Sequence, residues 1–168
     1  MPENEYSKRI KKLIGRWGEE NKDKFEYIIT KILIRNPSMH IKGYKNSHIN
    51  YKPDAIFVLD FMEKIVFEVL DSQIETKTIA DLVRCIIKEE VSDVVFIVKN
   101  NSSADNVIRV TRVILDKFDS YLNLKDTEKR KKEVPINVHS IKITETESKS
   151  PKKFLNKFDK FMKKVIQT

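Results

Sequence analysis

Glycine is nearly missing from this chain, three residues in 168, and no cluster of them builds a loop that could cradle nucleotide phosphates. The common nucleotide-binding motifs are therefore excluded. Cysteine is scarcer still: the single Cys85 lies in an apolar helical pattern with no second thiol, which removes both a disulfide framework and a thiolate zinc site. It reads as a core residue. His40 and His48 sit in a polar stretch with no partner at metal-binding spacing, although His48 falls only a few residues before Asp54. No run is long and apolar enough to cross a bilayer, and Met1-Pro-Glu-Asn-Glu5 lacks the basic-then-apolar pattern of a signal peptide. The expectation is an intracellular, cytoplasmic protein with no membrane partner. Internal repeats are also lacking.

What is present is charge. Lys and Arg number 33 against 25 Asp and Glu, for a formal charge of +8 and a pI near 9.4, a balance that favours polyanionic partners, nucleic acid first. A solvated surface of both signs fits the same 35% charged composition. The length suits one domain with a real core over residues 1–168, its centre at about 7–122 and a C-terminal strand and helix, 134–168, packed against it.

Two apolar runs organise the chain. Ala55 to Leu59 and Ile65 to Leu70 are rich in β-branched and aromatic residues and too short for ordinary helices, so they read as paired strands buried on both faces. Each carries one acid. Asp54 stands at the mouth of the first run and Glu68 lies inside the second, where a carboxylate is costly unless a metal, a cation or hydrogen bonds hold it. A structural account is also available, with Asp54 capping the turn and Glu68 paired with Lys64 or Lys77.

Before the hairpin, Ile10, Leu13, Ile14, Trp17, Phe25, Ile28, Ile29, Ile32 and Leu33 recur at helical spacing and predict one amphipathic helix from about Ser7 to Ile34. Its first turns hold Lys8, Arg9, Lys11, Lys12 and Arg16 with no acid among them, a cluster suited equally to phosphate or to water. Gly15 and Gly18 weaken a helix interior and so mark a close approach. Glu20 falls near the apolar stripe, facing the interior or pairing with Lys24. After the hairpin, a helix over about Glu75 to Glu90 precedes a buried strand, Val94 to Val98, and that order predicts a parallel pair in an α/β layer fold. A further helix runs from Val107 to Leu122. An edge strand spans Pro135 to Ile143. Pro151 opens a last helix with Phe154, Phe158, Phe161, Met162 and Val165 on one face and six lysines on the other. Docking on the core is the favoured reading, over phosphate contact or a membrane-surface helix.

This order of helix, hairpin with Pro53-Asp54 and Glu68-Val69-Leu70, helix and buried strand resembles the PD-(D/E)xK nuclease superfamily, over roughly Gly15 to Val98. That superfamily includes restriction endonucleases and archaeal Holliday-junction resolvases. The resemblance implies a restriction-endonuclease-like mixed sheet flanked by helices, here with an extra C-terminal basic amphipathic helix. It implies Asp54 and Glu68 as ligands of Mg2+ (or Mn2+), the Val69 carbonyl as a further oxygen, and Glu20 or Glu19 as the helix-borne acid. Many members are dimers, so a homodimer is implied as well. The departure is Leu70, which stands where the family places a lysine. Lys77, in the first turn of the next helix, is then the best-placed base, Gln73 can orient water, and Lys52 is a weaker choice. Lys11, Lys12, Arg16 and Lys52 are the candidate nucleic-acid contacts. The expected function is a divalent-metal-dependent DNA endonuclease hydrolysing phosphodiester bonds. The alternatives are a nuclease-fold protein that has lost catalysis and binds nucleic acid or a protein partner, and an interaction protein indifferent to nucleic acid.

Overall fold

A computed structural model describes residues 4–24, 27–30, 54–59, 64–70, 91–123 and 136–167. Helix α1 (Glu5–Glu20) starts where Asn4 takes the Ser7 amide on its side chain, at 2.9 Å, supplying one of the acceptors a helix N-terminus lacks. It stops at Asn21, whose amide and side chain both return to the Trp17 carbonyl. A single 3-10 turn, Lys22–Lys24, follows. The expected helix through Ile34 is therefore too long: Tyr27–Thr30 is strand β1. Ile28, Ile29 and Thr30 are β-branched and join a neighbouring strand, which outweighs the helical spacing that Ile28 and Ile29 also satisfy.

Strands β2 (Ala55–Val58) and β3 (Lys64–Leu70) form the expected antiparallel hairpin, with Ala55 opposite Phe67 and Val58 opposite Lys64. Strand β4 (Val91–Val98) runs parallel to β3, as expected, and the twenty residues between them are enough for the crossover a parallel pair needs. The linking segment, including the helix expected over 75–90 and Cys85, lies outside the described residues. Helix α2 (Asn101–Asn123) crosses to β5 (Asn137–Lys142), which is parallel to β4. The result is one five-stranded mixed sheet in the order β1-β2-β3-β4-β5, with β5 at its edge.

The period-two alternation of the strands splits the core in two. Ala55, Phe57, Ile65, Phe67, Val69, Val95 and Ile97 face one side and meet α1 and the last helix, α4 (Pro151–Gln167). Ile56, Val58, Val66, Val94, Phe96 and Val98 face the other and meet Val107 of α2. The first side is an aromatic stack. Trp17 lies parallel to Phe57 with centroids 5.8 Å apart and takes the edge of Phe158 at 5.4 Å. Helix α4 is docked, as expected: Phe154, Phe158, Met162 and Val165 are buried. A short helix α3 (Glu145–Ser148) turns the chain into it through a capping box between Thr144 and Glu147.

Candidate functional site

Strands β3, β4 and β5 are parallel and end together, with Leu70, Val98 and Lys142 in register, and β2 begins at that same end because it is antiparallel to β3. In open α/β sheets this carboxyl end is where ligands are usually received. Asp54, the residue before β2, therefore arrives beside the end of β3. Its amide donates to the Phe67 carbonyl at 3.1 Å, and its Oδ2 accepts from the Val69 amide at 2.8 Å. The carboxylate thus does the work of a ladder carbonyl at the strand mouth. Its Oδ1 lies 3.0 Å from Lys11 Nζ, and the two side chains are only 8% and 6% exposed.

Glu68 is equally buried, at 6%. Its neighbours Phe67 and Val69 belong to the α1 side of the core and Val66 to the α2 side, so alternation assigns Glu68 to the side of Val66 and Leu70. The amide that holds Asp54 belongs to the very next residue of β3, Val69. Asp54 and Glu68 are thus both buried at the carboxyl end of β3. Burial of both is costly without compensation, which the Lys11 ammonium and the Val69 amide supply for Asp54. Glu68 also has a partner within the fold.

Cations line this end of the sheet. Tyr6 of α1 donates its hydroxyl to the Ile143 carbonyl at 2.6 Å, and Lys99, just past β4, lies 4.5 Å from the centre of the Tyr6 ring. Lys99 Nζ also approaches Glu145 at 3.4 Å, and Arg9 pairs with the same carboxylate. Burial raises the Glu145 pKa, but the Lys99 hydrogen bond and the Arg9 and Lys99 charges outweigh it and hold the group below its ordinary value.

The structure separates several residues from this site. Glu20 is exposed at the last turn of α1 and pairs with Arg16 at 3.0 Å, so it does not join the two acids. Glu20 is the last residue of the helix and has left the buried stripe. Glu19 is likewise exposed. Lys12 and Arg16 are solvent-facing, as surface phosphate contacts would be, whereas Lys11 is turned inward. Its burial against Asp54 corrects its place in that surface cluster. Lys52, Gln73 and Lys77 lie outside the described residues, as do His40 and His48. Leu70 packs against the apolar layer beneath α2.

Lys11 had a signal in the sequence. It shares a helical row with Ser7, Gly15 and Gly18, all buried, and such a row of small residues along the edge of an apolar stripe brings backbone and sheet together. A second pair was not anticipated: Asp93, buried near the start of β4, meets His139 Nε2 at 2.8 Å. Among the described residues, no group of three or more His, Cys, Asp or Glu side chains gathers at metal-ligand spacing. No helix among them is long and apolar enough to cross a membrane. No protein-family model, curated protein or solved structure matches this chain.

Proposed function

We propose that this chain is a divalent-metal-dependent DNA endonuclease of restriction-endonuclease-like fold, with its site at the carboxyl end of β3. The observation that carries the reading is the buried Asp54 carboxylate, pinned by Lys11 and the Val69 amide within one residue of a second buried acid, Glu68. Such acids are expensive to bury and are retained where chemistry uses them.

Asp54, Glu68 and the Val69 carbonyl are hard oxygen donors, the kind that suits Mg2+ or Mn2+. A bound ion would lower the pKa of its water and neutralise charge on the phosphoryl group. The protein's part is to fix the carboxylates and bring a cation to them. Leu70 cannot supply that cation, and Lys11 stands 3.0 Å from Asp54, held by a helix instead of by the strand. Gln73 and Lys77 follow β3 in the chain and complete the candidate set. A homodimer belongs to the same reading and is tested by light scattering.

The test is cleavage of plasmid, junction and single-stranded DNA with magnesium or manganese, comparing the native chain with Asp54→Asn, Glu68→Gln and Lys11→Met. Cutting that needs metal and is abolished by the first two changes supports the reading. A slower rate with metal affinity retained in Lys11→Met places that ammonium in the reaction. A second reading, a nuclease frame that only binds nucleic acid, is favoured by the apolar Leu70 and by the ion pair already on Asp54. Leu70→Lys separates them: it raises cleavage in a weakened enzyme and does nothing in a binding module.

A further inference from the structure

We infer that the outer face of α4 is a docking surface for the phosphodiester backbone of nucleic acid, separate from the Asp54–Glu68 site. The inference rests on the proposed nucleic-acid reading for its choice of ligand, and on α4 itself for its place. Helix α4 carries six lysines against one aspartate. Its apolar face is consumed by the core, with Phe154, Phe158 and Met162 at 0% exposure and Val165 at 4%. The lysines are all exposed.

Two of them are neutralised locally: Lys157 bridges to Glu147 at 2.9 Å and Lys163 to Asp159 at 2.7 Å. Lys152, Lys153, Lys160 and Lys164, with Lys149 just before the helix, have no carboxylate within bridging distance among the described residues. Lys153, Lys160 and Lys164, at i, i+7 and i+11, share one side of the helix. At a rise of about 1.5 Å per residue the row is about 16 Å long, comparable with several phosphate spacings along a duplex. Helix α1 covers the same side of the sheet. The opposite cover is different in kind, since α2 has three basic and three acidic residues.

The occupant follows from what this face offers. It presents charge and no fully exposed aromatic ring, Phe161 being half-buried, so it lacks the stacking platform that single-strand binders use on bases. Contact would be to phosphates, independent of sequence and strongly dependent on salt. An acidic bilayer is the weaker fit, because a membrane-surface helix needs its apolar face for insertion and here that face is sequestered in the core.

The experiment is anisotropy of a short labelled mixed-sequence duplex with the full chain in chelator, titrated from about 50 to about 200 mM salt, where counterion release dominates affinity. Lys160→Gln with Lys164→Gln is compared with Arg109→Gln with Arg112→Gln, which removes equal charge from exposed positions on α2. The α4 variant is expected to bind several-fold more weakly and to lower the log–log salt slope by about 2, at ~0.9 per lost phosphate contact. The α2 variant is expected to match the native chain, and the Lys160→Arg, Lys164→Arg variant to retain binding. Equal losses from both glutamine variants, or none from either, overturn the inference. So does binding to phosphatidylserine vesicles without binding to duplex. Chelator keeps the readout free of cleavage, so a chain that never cuts DNA can still pass, and one that cuts through Asp54 can still fail.

Discussion

Lys11 and Asp54 form a buried ion pair, 3.0 Å between Nζ and Oδ1, that ties the second turn of α1 to the mouth of β2. Because both charges are out of water, removing one partner takes the nearest counter-charge from the other. Lys11→Met is expected to cost about 3–5 kcal/mol in urea unfolding, the range for breaking a buried pair. Lys11→Met with Asp54→Asn should recover much of that loss, and the double-mutant cycle measures the coupling. Additive losses would mean that the pair contributes no coupling and that Lys11 acts through packing alone.

Acid should loosen the α3–α4 corner first. The Lys163 hydrogen bond, against some burial and helped by the Trp17 indole, holds the Asp159 carboxyl below its ordinary 3.8. Glu147 is held below its ordinary 4.5: burial raises it, and hydrogen bonds from Lys157 and Thr144 prevail. Glu145 is also lowered from 4.5. A depressed pKa means that the unfolded chain binds more protons in acid than the native one, so stability falls as pH falls. Urea midpoints should hold above about pH 4.5 for these groups and drop from there down through the lowered folded values. Glu147→Gln should lower the midpoint at neutral pH and flatten its acid limb. An unchanged limb would remove the capping carboxylate from the acid response.

The strands were legible because burial on both faces leaves a compositional trace: Ala55–Val58, Ile65–Leu70 and Val94–Val98 are short and rich in β-branched residues, whereas the first three residues of β4, Val91-Ser92-Asp93, carry no such trace. Helix α4 was legible for the opposite reason, since one apolar stripe and one basic face leave a single way to dock. The error at Ile28 arose where two periods coincide. Its residues fit a helical stripe, and only pairing with β2, a contact far along the chain, decides for strand. Of the site, the acids could be read because charge inside an apolar run is anomalous. Lys11 was harder to read: its row with Ser7, Gly15 and Gly18 marks a buried edge of the helix, but nothing local identifies Asp54 as the group it meets. The Asp93–His139 pair likewise depends on the parallel register of β4 and β5, which brings together residues 46 apart.

Trp17 joins the two helices on the aromatic side of the sheet. It is the chain's only tryptophan and is 1% exposed, so native emission should be blue and shift red on unfolding. Its ring stacks on Phe57 and meets Phe158, and its Nε1–H donates to Asp159 Oδ1 at 3.2 Å. Trp17→Phe keeps part of the stack and loses the hydrogen bond, whose net worth is about 1 kcal/mol, along with some buried area. Trp17→Ala should cost about 3–5 kcal/mol, the range for emptying a buried aromatic site. Circular dichroism is the readout for both variants, since neither fluoresces as the native chain does. A near-neutral Trp17→Ala would mean that α4 docks without it.

Thr111 points the other way, toward a gain. Its residue is fully buried on α2, and its Oγ1 has no hydrogen-bond partner. A buried hydroxyl without a partner carries a desolvation penalty of about 1–3 kcal/mol. Valine keeps the branched shape and omits that group, so Thr111→Val should raise stability by about 1 kcal/mol or more, read as a higher urea midpoint with an unchanged slope. Thr111→Ser is the informative opposite: it keeps the hydroxyl, loses a buried methyl, and should destabilise by about 1 kcal/mol. If valine is instead the destabilising change, the hydroxyl makes a contact in solution, and α2 sits differently on β4 and β5 than its buried Val107 indicates.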